Sequence, residues 1–307
     1  SSHCYFEMDC DILDRDRLEN SWNEVIKIHD MMRAVVCDDN LHQRVLEEVP
    51  HYEIKKIDLT ELSGDALEES LLKIRHELEH QTFDLYKWPA YDIRYAEFGS
   101  RSRIFISFDN LFFDGWSMFY IFRQWKALYE DPDVRIDKAD ITFKEYVLSL
   151  NENRKGESYE KDLEYWKNKL DNISGAPELP VNKESSVGTF KRFSTHLKPE
   201  KWEALKNKIR NYSLTEPVFL MSLYAEVIAR YSRDKKFSIN LTRFNRIPFS
   251  EKVDQVVGDF TTLTILSLDL TTGQSFEERA KEIQKVLWSD ISHSSVSGVH
   301  VERMLNK

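Results

Sequence analysis

Alternation is the first pattern the chain shows. In residues 4–12, CYFEMDCDI, Tyr5, Glu7 and Asp9 face one way and Phe6, Met8 and Cys10 the other, which predicts a half-buried strand. The period then lengthens: Leu18, Trp22, Val25, Ile26 and His29 recur at helical spacing behind an acidic first turn. Val35 and Val36 begin a strand, with QRVLEEV at 43–49 as its partner. Residues 63–81 predict a second helix, with Ser63 or Asp65 as the cap. AYDIRYAEFGSRSRIFISFD, 90–109, reads as two antiparallel strands that turn at Gly99-Ser100. Residues 115–130 predict a helix whose apolar face carries Met118, Ile121, Phe122, Trp125 and Leu128.

Two more helices are expected within 143–172. The segment that follows, SGAPELPVNKESS, collects Gly, two Pro and polar residues and marks a linker at 174–187. Beyond it the grammar repeats: a strand at 190–197, helices at 199–211 and 215–232, strands at 237–244 and 261–270, and a helix at 275–291. Two α+β layers in series imply two lobes, residues 1–173 and 188–307, in keeping with a length of 307 residues.

Composition narrows the function classes. The formal net charge of -10, from 43 basic and 53 acidic residues, and a pI near 5.5 argue against a nucleic-acid binder. The charges interleave along helical stretches as a solvated surface does. Three cysteines, Cys4, Cys10 and Cys37, form no CxxC pair and suggest reduced thiols in the cytoplasm. No apolar run approaches the ~18 residues of a membrane span. His76 and His80 share an i,i+4 face, a spacing that can hold zinc, but without a nearby third ligand they read as a solvated helix face, so no metal is expected. The first residues read as the middle of a strand, which suggests a piece of a longer protein.

The chemistry gathers around FISFDNLFFDGWSMF, 105–119, where a strand gives way to a loop and then to a helix. Asp109 and Asp114 flank Leu111, Phe112 and Phe113, and Ser117 follows Gly115-Trp116. Elementary readings exist for all three polar residues. Asp114 and Ser117 can cap the helix, where an acid gains ~0.3–1 kcal/mol from the dipole, and Asp109 can form a turn. Asn245, in FSINLTRFNRIPF (237–249), can bond its own backbone, and Asp259, in VVGDFTTLTIL (256–266), can serve a Gly turn that opens a buried strand.

Together these segments resemble a known family. The strand–loop–helix stretch matches D-x-x-x-x-D-x-x-S at Asp109, Asp114 and Ser117, where condensation domains of nonribosomal peptide synthetases carry H-H-x-x-x-D-G. That replacement is the signature of the heterocyclization (cyclization) subfamily. The segment 237–249 resembles the subfamily's N-L-T-x-F-N-R-x-P motif at Asn240, Leu241, Thr242, Phe244, Asn245, Arg246 and Pro248, and 256–266 its V-G-D-F-T-S motif through Val257, Gly258, Asp259, Phe260 and Thr261. TFKEYV, YWKNKLDN, APELP and SSVSGVHVERML also match, in order, so the likeness covers essentially the whole chain.

The resemblance implies two chloramphenicol acetyltransferase-like lobes in a V around a central tunnel, in a chain incomplete at both ends. It implies that an acyl thioester on the phosphopantetheine arm of an upstream peptidyl carrier protein meets Cys, Ser or Thr on a downstream carrier. An amide forms, then a thiazoline or oxazoline by loss of water. An adjacent adenylation domain is implied, with no bound cofactor, metal, nucleic acid or membrane. The implied site residues are Asp109, Asp114, Ser117, Asn245 and Asp259, the last two offered by the second lobe. Asp114 is expected to pair with an arginine and hold the loop, Arg33 and Arg94 being the candidates, while Asp109 either faces the tunnel or is structural. A Thr and an Asp implicated in cyclodehydration are expected beyond Lys307. Two rivals stand beside this reading: a degenerate condensation domain that only binds carrier proteins, and a stand-alone acyltransferase of the same fold.

Overall fold

The computed structural model describes residues 2–181, 193–271 and 273–306. The chain is α+β and packs as two compact units, residues 1–151 with 244–261, and residues 152–243 with 262–307. The division thus falls at 151/152 rather than near 173, and residues 244–261, expected in the second lobe, pack with the first.

The first unit is built on a four-stranded sheet in the order β1-β6-β5-β4. β1 (His3–Asp11) pairs antiparallel with β6 (Arg101–Asp109), which pairs antiparallel with β5 (Tyr91–Phe98). Gly99, at φ 54°, makes the β5–β6 turn in the left-handed region that glycine enters without strain. β4 (Lys55–Asp58), which the sequence pattern did not reveal, adds parallel to β5. β2 (Ala34–Val36) and β3 (Gln43–Val45) form a separate antiparallel pair.

One face of the sheet is covered by α1 (Arg15–Ile28) and α3 (Gly115–Glu130), with Trp22, Tyr91, Phe108 and Trp125 at the centre of the core. The other face packs against α2 (Gly64–Glu79) through Leu71, Ile74, Leu78, Ala96 and Phe105. The alternation that predicted these strands is the same alternation that sends Phe105 to one layer and Phe108 to the other. A smaller cluster joins Tyr146 of α4 (Phe143–Asn153) to Val253, Val256 and Phe260.

The second unit holds α5 (Glu157–Lys169), α6 (Pro199–Asn211), α7 (Glu216–Tyr231), α8 (Phe276–Ser292), α9 (Gly298–Leu305) and, but for the end residues Phe244 and Thr261, the two-stranded pair β7 (Lys236–Phe244) and β8 (Thr261–Asp269). Its main core runs through Val218, Ala225, Phe237, Leu266 and Ala280. The strand expected at 190–197 is not found over 193–197, where Phe193 is exposed, and 190–192 lie outside the described residues. The linker expected at 174–187 is irregular as far as 181, but it is not loose. Gly175 accepts a hydrogen bond from the Ser238 N–H and Glu178 one from the Arg233 N–H. Residues 182–187 lie outside the described residues.

Candidate functional site

The loop between β6 and α3 is fixed by its hydrophobic residues. Phe112 and Phe113 are buried in the sheet–helix core, Phe113 meeting Phe108 edge-on at 5.3 Å, while Leu111 between the two acids stays exposed. With the greasy residues anchored, the acids at either end are held in place. Asp109 Oδ1 accepts the Leu111 N–H at 2.9 Å, a turn-closing bond of the kind short acidic side chains make. Its other oxygen, Oδ2, is buried with no hydrogen-bond partner.

Asp114 is the N-cap of α3, where Oδ1 accepts the Ser117 N–H at 2.7 Å. Its Oδ2 accepts the Phe260 N–H at 3.2 Å. Both oxygens lie 3.2 Å from Nη2 of Arg246. The Asp114 side chain is fully buried and that of Arg246 is 5% exposed, so this is an ion pair out of water, viable only because further hydrogen bonds surround it. Arg246 Nη1 donates to the carbonyls of Val253 and Val256, and its guanidinium lies 3.7 Å from the centroid of the Phe260 ring. Burial draws the Arg246 pKa below its ordinary value, opposed by the charge of Asp114.

Ser117 is equally committed. Its hydroxyl donates to the Gly258 carbonyl at 2.8 Å and accepts from the Gly258 N–H at 3.1 Å and from Arg246 Nη2 at 3.0 Å. A serine hydroxyl has one proton and two lone pairs, and all are used. The Gly258 carbonyl also accepts the Asp114 N–H. A side chain at Gly258 would force the Phe143 ring to shift, because a Cβ would stand 2.2 Å from its Cδ2.

The arginine partner of Asp114 is therefore Arg246, not Arg33 or Arg94. Arg33 is engaged by Asp30 and the carbonyls of Ile26 and Leu46, and Arg94 by Glu77 and Asp92. Arg246 lies inside the NLTRFNR stretch. The signal that could have found it was that a buried carboxylate needs a buried cation, which Lys or Arg supplies only from a segment itself destined for the interior.

Asn245 and Asp259 border this cluster. The Asn245 N–H donates to the Phe260 carbonyl, and its own carbonyl accepts from the Tyr146 hydroxyl at 2.8 Å. Asp259 Oδ1 accepts the Thr261 N–H at 2.9 Å. Burial raises the Asp259 pKa above the ordinary carboxylate value, and the charge of Asp114 adds to the effect.

A protein-family model described as the condensation domain matches residues 4–299. The chain belongs to the condensation-domain family. The condensation domain is 32% identical to bacitracin synthase 1 of Bacillus licheniformis over 307 residues, 98% of this chain and 6% of that protein. To pyochelin synthetase PchF of Pseudomonas aeruginosa it is 32% identical over 294 residues, 95% of this chain and 16% of that one. It thus spans a small part of the curated relatives it matches. Among solved structures, the EpoB cyclization-docking bidomain of a nonribosomal peptide synthetase from Sorangium cellulosum superposes with a TM-score of 0.89 at 32% identity, covering 99% of this chain and 62% of that one. The resemblance carried by the three quoted motifs thus pointed to the right family.

Elsewhere in the condensation domain, Cys4, Cys10 and Cys37 are free thiols. No helix among the described residues is long and apolar enough to cross a membrane. The pair His76 and His80 does have a third group beside it, Glu79, so the expectation of no nearby ligand is corrected. Residues 76–80 read His-Glu-Leu-Glu-His, which places two imidazoles and a carboxylate on one helical face.

Proposed function

We propose that this condensation domain is a heterocyclization unit of a nonribosomal peptide synthetase. In this reading it joins a carrier-bound acyl or peptidyl thioester to carrier-bound Cys, Ser or Thr and then closes the ring. The observation that carries the reading is the convergence of three separate signature segments on Asp114. Ser117 comes from the first, Arg246 from the second, and Gly258 and Phe260 from the third. The likeness to a structure described as a cyclization bidomain supports it.

The first step forms a C–N bond between the amine of the acceptor and the thioester carbonyl. The C–S bond breaks, and the phosphopantetheine thiol of the upstream peptidyl carrier protein leaves with the proton. In the second step the side-chain sulfur or oxygen of the new residue adds to the amide carbonyl carbon. The former carbonyl oxygen departs as water and a C=N bond closes the thiazoline or oxazoline. Tethering both partners to carriers turns the amide step into a near-unimolecular one, which is worth up to ~7–11 kcal/mol without a dedicated base. Ring closure asks for more, a base for the nucleophile and an acid for the departing hydroxyl.

Asp114 and Ser117 are positioning residues in this scheme, since their hydrogen-bonding capacity is spent within the fold. Asp109, with an uncommitted oxygen, and Asp259, whose raised pKa favours carrying a proton, are the residues offered for acid–base work, and Asn245 for orienting the amide. The upstream and downstream peptidyl carrier proteins are the partners, and an adenylation domain in the parent synthetase loads the acceptor. The test is intact mass of the downstream carrier after reaction with an acyl-loaded upstream carrier and an aminoacyl-loaded downstream one. Loss of one water beyond amide formation supports the reading; amide alone, as a simple condensation domain would give, or no product, as a domain that only binds carriers would give, overturns it.

A further inference from the structure

We propose that the solvent face of α2 holds a divalent transition-metal ion through His76, Glu79 and His80. The three side chains bring one ligand atom each to within 4.8 Å of one another. His76 Nδ1 stands 3.4 Å and His80 Nδ1 3.6 Å from the same oxygen, Oε1 of Glu79. Helical spacing produces this arrangement, because positions i, i+3 and i+4 share a face.

Zinc holds nitrogen and oxygen ligands at about 2.0–2.2 Å, which in a tetrahedron sets them about 3.4 Å apart; the two contacts to Glu79 are near that spacing, and only the wider spread of up to 4.8 Å must close. The side chains are 77%, 39% and 67% exposed in sequence order, so modest rotation about their χ angles closes that gap. His80 Nδ1 lies 3.2 Å from the His76 carbonyl. Turning the ring away from that carbonyl frees Nδ1 for the metal, the atom that already faces Glu79. The site sits in the last turn of α2, where the carbonyl end of the helix dipole favours a cation. Two imidazoles and one carboxylate suit zinc, nickel or copper rather than magnesium or calcium, with water filling the remaining positions.

The letters His76-Glu77-x-x-His80 are those of a hydrolytic zinc helix, in which the glutamate after the first histidine acts as base. Here Glu77 forms an ion pair with Arg94, so the site is one for binding and not for hydrolysis.

The test is calorimetric titration of the folded chain with Zn2+ and, separately, Ni2+ as the simple salts. One saturable equivalent is expected. It should be lost in the H76A/H80A double variant, weakened at least about tenfold in Glu79→Gln, and unchanged in His42→Ala. Circular dichroism should show the same fold in all four proteins, since the three ligands are exposed. Absence of saturable binding, or equal binding by the double variant, overturns the site. Both outcomes are read without any condensation assay, so they are independent of the proposed reaction.

Discussion

Asp114 and Arg246 stand 132 positions apart in the sequence and form one buried ion pair, with Nη2 3.2 Å from each carboxylate oxygen. Removing one partner leaves the other charged, desolvated and alone, which costs about 3–5 kcal/mol. Asp114→Ala and Arg246→Ala are each expected to lower unfolding stability by that order in urea titrations. The double variant should lose much less than the sum, a coupling that a double-mutant cycle reads directly. Additive losses would show that the pair does not act as a unit.

Arg246→Lys separates charge from shape. Lysine keeps the positive charge but cannot reach Asp114, Ser117 and the Val253 and Val256 carbonyls at once. Most of the stability lost in Arg246→Ala should therefore stay lost, as measured by the same titration.

Gly258→Ala would press a methyl group to 2.2 Å from the Phe143 ring. Overpacking of this kind costs about 1–3 kcal/mol, and Phe143→Leu in the same chain should restore part of it. A thermal melt of the single and double variants checks this; no rescue would place the strain in the backbone instead.

The residues that could be read from sequence are those whose neighbours in space are neighbours along the chain. Helix 115–130 was legible from its 3.6-residue period and from Asp114 at its start, and β5 and β6 from alternation around Gly99. Lys55-Lys56-Ile57-Asp58 carries no apolar alternation, because β4 is an edge strand whose side chains are largely exposed, so pattern could not find it. Periodicity at 190–197 suggested a strand that 193–197 does not form, for Phe193 finds no layer to bury against. The Asp114–Arg246 pair was half legible: the need for an arginine followed from chemistry, its identity from a chain path that no spacing encodes.

Asp259 predicts a pH dependence. Its folded-state pKa is raised above the ordinary 3.8, so the folded protein holds this proton more tightly than the unfolded chain and loses stability as pH rises through that window. Asp259→Asn keeps the acceptor for the Thr261 N–H and removes the penalty. The variant should be more stable than the parent at pH 7, and the gap should close as pH falls below about 4. Urea midpoints at both ends of the range test it; a variant that is less stable at pH 7 contradicts the assignment.

Asp109→Asn keeps an acceptor for the Leu111 N–H and removes the ionisable oxygen. If Asp109 moves a proton during ring closure, cyclised product should fall by about 100-fold or more while amide formation falls much less. Equal loss of both products would make Asp109 a structural residue.

The most direct measurement follows the oxygen atom. A donor acyl group labelled with heavy oxygen at its thioester carbonyl is loaded on the upstream carrier and reacted in the parent synthetase with the aminoacyl-loaded downstream carrier. Simple condensation retains the label in the amide; heterocyclization expels that same oxygen as water. The expected result is a carrier-bound product lighter by one labelled water than the amide. A product that keeps the label, at the mass of the amide, contradicts the heterocyclization function.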